Sequence, residues 1–249
     1  MRILILGILC WVGSFSYSIA SIDTLFQKGV ERLAEEDFNE ARTTFKAIVE
    51  QEPSFAAYYN LGIAFARLNE WNHARWAFES ALKYKPMGED AQYNAQYALQ
   101  QVNPKIEWQH PYSWYNRFVL GAGVYLWYVL ALISSILIGL AIYFSVSKYS
   151  KELVRKWINR LLPLGILLFI FSTYNVSVIK QHFNAYQFAI ASRSEIKLYL
   201  SPNGLEVNEE IKYEDRFILE EYAIDSTWIH ILTSENRDFW VKSEDMLVY

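Results

Sequence analysis

The chain has 249 residues, of which 53% are hydrophobic, 17% aromatic and 20% charged, with a formal net charge of −4. The charge is uneven: residues 21–110 carry 9 basic and 13 acidic groups, and residues 181–249 carry 6 basic and 13 acidic groups. Acidic segments of this kind argue against nucleic acid as a partner, because phosphate binding needs clustered Lys and Arg.

The first 20 residues read as an export signal. Arg2 supplies the positive start, Ile3 to Val12 a short apolar core, and Ser18-Ile19-Ala20 the small residues of a cleavage site. An uncleaved anchor is the alternative, and either outcome places residue 21 onward outside. Cys10 is the only cysteine and lies inside this signal. Its removal would leave no thiol for disulfides, covalent catalysis or metal ligation.

Residues 22–86 contain an internal repeat. Gly29, Ala41, Phe45 and Pro53 recur 33 residues later as Gly62, Ala74, Phe78 and Pro86. Each unit is expected to form two helices: Asp23–Glu35 with Phe38–Gln51, then Phe55–Leu68 with Asn72–Tyr84. Gly and Ala suit close helix crossings, the Phe pair fills the space between helices, and each Pro ends a second helix. A further helix, Asp90–Val102, starts like a third unit and stops at Asn103-Pro104. It is expected to cover the open face of the second unit as a cap.

The Leu61-Gly62, Ala74, Phe78 and Pro86 positions resemble the tetratricopeptide repeat; Lys28 and Arg32 depart from it in the first unit. The resemblance implies a concave groove lined by the first helix of each pair. The residues that would face it are Phe26, Val30, Leu33, Tyr59, Asn60, Ile63, Arg67, Tyr93, Asn94 and Tyr97, with Val30 and Leu33 better read as packing. Such an apolar and aromatic surface with one cation suits a helix or an apolar peptide better than an acidic tail.

Two uncharged apolar runs follow. The first spans about residues 118–146 and the second 161–179, with the second helix expected to end at Lys180. Crossing a bilayer takes about 20 apolar helical residues, so both are expected to be transmembrane helices; buried core helices of a soluble fold are the alternative. A linker at 104–117 precedes them. The loop at 147–160 carries Lys148, Lys151, Arg155, Lys156 and Arg160 against Glu152 alone. Short loops rich in Lys and Arg stay in the cytoplasm, so both flanking segments are expected on the outer, periplasmic side of the inner membrane. Trp108, Tyr112, Trp114, Tyr115 and Phe118 before the first run, and Tyr143, Phe144 and Tyr149 at its far end, read as interfacial anchors.

From about residue 184 the pattern becomes one of short strands: Phe188–Ile190, Glu195–Tyr199, Phe217–Ile224, Trp228–Leu232 and Phe239–Lys242, separated by turns such as Ser201-Pro-Asn-Gly204. The spacing suggests a small, partly open barrel. Lys197-Leu-Tyr-Leu-Ser-Pro202, Trp228-Ile-His-Ile231 and Phe239-Trp-Val-Lys-Ser-Glu-Asp-Met-Leu247 resemble a bacterial SH3-like domain, although Phe239 stands where glycine is usual. Trp240 is read as a core residue of that barrel.

His73, His110, His182 and His230 show no metal-ligand spacing, and no phosphate loop or nucleophile motif is present. His73 is read on an exposed helix face. No catalytic residue, cofactor or metal is expected, and an enzyme is disfavoured. The full order of export signal, repeat array, two spans with a basic loop and SH3-like tail resembles the BatE family of Bacteroides aerotolerance proteins. That resemblance implies a non-enzymatic inner-membrane scaffold. Its implied partners are membrane proteins with von Willebrand factor A domains and, indirectly, a cytoplasmic MoxR-type ATPase. The alternative is a cell-envelope protein that anchors to peptidoglycan through the SH3-like domain.

Overall fold

The computed structural model describes residues 22–147, 152–184, 188–193, 196–207, 216–222, 227–233 and 236–249. The expected export signal, Lys148, Lys151, Tyr149 and parts of the expected strands (Glu195, Ala223, Ile224) lie outside these residues. The chain is mostly helical, with an antiparallel sheet after the helices. It divides into two compact units, one of residues 1–111 with 187–249 and one of Tyr112–Tyr186.

The helical part of the first unit is built as the 33-residue repeat requires. Helix α1 covers residues 22–34, followed by α2 (Phe38–Gln51), α3 (Phe55–Arg67), α4 (Trp71–Tyr84) and α5 (Glu89–Val102). The turns inside the two pairs are equivalent: Glu36 (φ 61°) and Asn69 (φ 60°) both sit in the left-handed region, 33 residues apart. The amides of Asp37 and Glu70 then bond back to Arg32 and Phe65 at the same distance of 2.9 Å. The glycines repeat as well. A Cβ on Gly29 would lie 2.8 Å from the Phe45 ring, and one on Gly62 would lie 2.6 Å from the Phe78 ring. Each glycine is thus the floor on which the phenylalanine 16 residues later rests. Ser54 caps α3 through a bond from the Ala57 amide. Ala57, Leu61, Ala74, Ala77, Ala95 and Ala98 complete a core fully closed to solvent.

Among the described residues the sheet has seven strands: β1 (Phe188–Ala191), β2 (Leu198–Tyr199), β3 (Glu206–Val207), β4 (Arg216–Tyr222), β5 (Trp228–Leu232), β6 (Asp238–Lys242) and β7 (Met246–Val248). Their order is β3-β2-β6-β5-β4-β1-β7, all neighbours antiparallel. Two short edge strands, β3 and β7, go beyond the five expected from the sequence. A 3-10 turn at Ser243–Asp245 joins β6 to β7. The expectation for Trp240 is corrected. Strand alternation turns Phe239 and Val241 into the core and Trp240 out, where its ring stacks on His230 at 4.8 Å. Phe239 is the residue of this pair that fills the interior.

The second unit holds α6 (Trp114–Gly121), α7 (Gly123–Val146) and α8 (Glu152–Asn184). Among the described residues, two helices are long and apolar enough to cross a membrane: Gly123–Val146, and Arg155–Phe183 within α8. Only 6% of the apolar window of α7 is buried, which separates it from a core helix of a soluble fold. Two boundaries differ from expectation. The first apolar run is not one helix from residue 118, because Gly123 adopts φ +74° and breaks the ladder between α6 and α7. The stretch expected as a basic loop from 147 is helical from Glu152, where Glu152 pairs with Lys156 one turn on.

The glycine–phenylalanine contact gives a direct test. Gly62→Ala places a methyl group against the Phe78 ring, an overpacking cost of about 1–3 kcal/mol that outweighs the gain in helix propensity of about 1 kcal/mol. Thermal unfolding followed by circular dichroism should show a lowered midpoint, recovered in part by adding Phe78→Leu. A raised midpoint for Gly62→Ala alone would contradict the packing described.

Candidate binding groove

The groove lies where α3, α4 and α5 meet, and has a volume of about 560 Å³. Its size falls within the range of ordinary ligand and peptide sites. Its floor is fixed. Tyr59 stacks on Phe55 at 5.7 Å, leans on the Phe78 ring and accepts a hydrogen bond from Asn94 Nδ2 at 3.1 Å. Its rim is more exposed. The guanidinium of Arg67 stands 5.8 Å from the Phe38 ring, and Tyr97, 46% exposed, meets Trp71 edge to face at 6.0 Å. The site therefore offers aromatic faces, one cation and the amides of Asn69 and Asn94.

Of the residues expected to line the groove, Tyr59, Ile63, Arg67, Asn94 and Tyr97 are brought together there. The other three are placed elsewhere. Phe26 packs edge to face on Phe45 in the core. Asn60 turns its amide onto the Ala56 carbonyl of its own helix at 3.0 Å. Tyr93 is 68% exposed on α5 and is not among the lining residues. Leu33 packs on the core as expected, whereas Val30 is 38% exposed. Trp71 and Phe78 were not expected in the groove. Both come from α4, the second helix of a pair, and Phe78 reaches the groove because Gly62 leaves it room.

A second constellation lies on the same helix. Glu79 follows Phe78 and is fully buried. Its Oε1 accepts from Arg75 Nε at 2.9 Å and from Trp108 Nε1 at 2.8 Å. Its Oε2 accepts from Arg216 at 2.7 Å and from the Tyr249 hydroxyl. A carboxylate has about four acceptor positions, and all are used. Arg216 comes from β4 and Tyr249 follows β7, so this cluster ties helix α4 to the sheet. Arg216 also donates to the Gln109 carbonyl at 3.0 Å, and the Trp76 indole donates to the Val248 carbonyl at 2.9 Å. Burial alone would raise the Glu79 pKa; Arg216, Arg75 and the Tyr249 hydroxyl outweigh it and hold the carboxyl at about 2. Burial and the neighbouring carboxylate push the Tyr249 phenol well above its usual range. The sequence held one signal for this cluster: an acid placed between Phe78 and Ser80, on the inward face of α4, with an Arg one turn before it.

A further surface groove of about 580 Å³ is lined by α2, Phe65 of α3 and the start of α4, where Arg42 and Lys46 face Glu50 and Glu70. The opposite charges there answer one another, and Arg42 pairs with Glu70. His73 at its edge is half-buried against Phe65 rather than on an open helix face, and burial lowers its pKa. Among the described residues no group of three or more His, Cys, Asp or Glu is placed to hold a metal ion. Comparisons with protein families, with curated proteins and with solved structures find no match for this chain.

The buried cluster sets a pH dependence. Glu79 has a lower pKa folded than unfolded, so its contribution is complete above the unfolded value of 4.5 and is lost as pH falls towards about 2. The loss is on the order of 3 kcal/mol. Glu79→Gln leaves two guanidinium groups facing a neutral amide and should cost about 3–5 kcal/mol at neutral pH. Denaturant unfolding of the wild type and variant from pH 7 to pH 2 checks both. The two curves should converge at the acid end, and a constant gap across the range would argue against the assignment.

Proposed function

We propose that the chain is a non-enzymatic membrane scaffold whose groove between α3 and α5 holds a helix or apolar peptide of a partner membrane protein. The observation that carries this reading is the groove itself: an open, aromatic-walled channel on a rigid helical frame, with a single cation at its rim. A fixed floor of Tyr59 and Phe78 limits the ordering cost of binding, and large aromatic side chains supply contact area. Arg67 would select a carboxylate or a backbone carbonyl on the bound segment.

In this reading the helical pairs are tetratricopeptide repeats. The 33-residue recurrence of turn, glycine and phenylalanine supports that, as does α5 in the role of a cap. Two repeats are fewer than the three such arrays usually need. The sheet docked on α4 through Glu79 supplies the missing support. The sheet is read as an SH3-like module on its strand order and its 3-10 turn before the last strand. Its docked edge makes it a brace for the repeats, with a second ligand still to be found. The two apolar helices span the inner membrane, with the segment around residues 148–160 in the cytoplasm and both ends of the hairpin outward. The BatE resemblance, on this reading, extends to partners with von Willebrand factor A domains.

The test uses the rim, because Tyr59 is part of the fold. Arg67→Ala combined with Tyr97→Ala removes exposed groups only. In membranes crosslinked before solubilisation, the wild-type chain should retain specific membrane proteins and the double variant should lose them, by tenfold or more at a loss of about 1.4 kcal/mol or greater. Equal recovery by both chains would remove the groove from the function. Recovery of wall fragments alone would favour the peptidoglycan alternative.

A further inference from the structure

We infer that α6 is a membrane-surface helix, and that its exposed face of Trp114 and Phe118 is a binding surface for the headgroup zone of a lipid bilayer. The inference rests on the reading of α7 and α8 as membrane spans.

The helix is two-sided. Tyr115 and Val119 point inward: the Tyr115 hydroxyl donates to Asn175 Oδ1 of α8 at 2.7 Å, and Val119 is fully buried with Trp127, Val176 and Ile179. On the neighbouring face, about 100° round the helix, Trp114 is 72% exposed and Phe118 49%. A short helix held so firmly on one face has no internal reason to show two large aromatic rings to water. Trp is favoured where one edge of a ring meets lipid and the other meets headgroups. An amphipathic helix of this kind lies in the interface, with its apolar face buried about 5–10 Å.

Three further observations name lipid as the occupant. The chain breaks between α6 and α7 at Gly123, so α6 is not the first turns of the span. The carbonyl of Val119, near the end of α6, accepts from the Trp127 indole at 3.0 Å, which supplies a partner that an ended helix needs. The Phe118 ring meets Trp127 of α7 edge to face at 6.1 Å, so the aromatic face of α6 runs into the apolar exterior of α7, where Leu126 and Val129 are exposed. That exterior is the surface a bilayer would cover.

The experiment places single fluorescent labels on the full chain. In a Cys10→Ser background, which removes the one native cysteine, Trp114→Cys, Phe118→Cys and Leu132→Cys are labelled and reconstituted into phosphatidylcholine–phosphatidylglycerol vesicles. Nitroxides at shallow or deep acyl positions report depth, and aqueous iodide reports exposure to water. The labels at 114 and 118 should lie about 5–10 Å below the headgroup boundary, with weak iodide quenching, while the label at 132 lies near the bilayer centre. Labels at 114 and 118 that are open to iodide and untouched by lipid nitroxides, with 132 still deep, would overturn the surface helix and leave the spans intact. A label at 118 as deep as that at 132 would overturn it too, by making α6 part of the span. A label at 132 open to iodide would overturn the spanning reading and this inference with it.

Discussion

One buried carboxylate holds the first unit together. Glu79 has no access to water, and an isolated ion in that position would cost several kcal/mol in lost solvation. It is tolerated because four donors from four separate stretches of chain converge on it: Arg75 on α4, Trp108 after α5, Arg216 on β4 and Tyr249 after β7. An apolar contact would tolerate sliding of the sheet over the helix. A carboxylate with every acceptor position filled does not. The docking of sheet on helix is therefore fixed in register as well as in energy. The neighbouring residue, Phe78, belongs to the groove, so the same turn of α4 sets both the interior joint and the wall of the candidate binding site.

The helical repeat was legible in the sequence because it is local. Gly29 with Phe45 and Gly62 with Phe78 lie within one helical pair each, and their spacing alone implies the close crossing that the structure contains. The five groove residues that came together lie on α3 and α5, whose registers follow from the same period. The misplaced ones failed for physical reasons. Phe26 had a stronger claim from the core beside Phe45, Asn60 satisfied its own helix, and Tyr93 lies on α5 outside the groove lining. The ion cluster was not legible. Arg216 and Glu79 are 137 residues apart, and no period or turn connects them. Only the oddity of an acid on an apolar helix face hinted that something distant would answer it.

The second unit shows a similar division. The two apolar runs could be read from length and composition, whereas the break at Gly123 could not, since three small residues, Gly121-Ala122-Gly123, sit as easily inside a packed membrane helix as at a corner. The conformation of one glycine decides it. In the sheet, alternation marked five of the seven strands, missed the short β3 and β7, started the second strand before Leu198, and put Trp240 rather than Phe239 on the inward side of β6. Burial along the five-residue strand turns Phe239 and Val241 inward instead.

The indole of Trp76 has a wider consequence. It takes up the carbonyl of Val248 on β7, the last strand at one side of the sheet. An uncovered strand edge is a template for pairing with other chains, and proteins protect such edges by covering, bulging or charging them. Here the cover is a helix from the other end of the sequence. Cutting the chain into a helical piece and a sheet piece would thus strip the edge of its guard, and would leave Arg216 and Tyr249 on one fragment and their carboxylate on the other. Two stretches that the sequence keeps apart by residues 112–186 are, in the folded chain, each unfinished without the other.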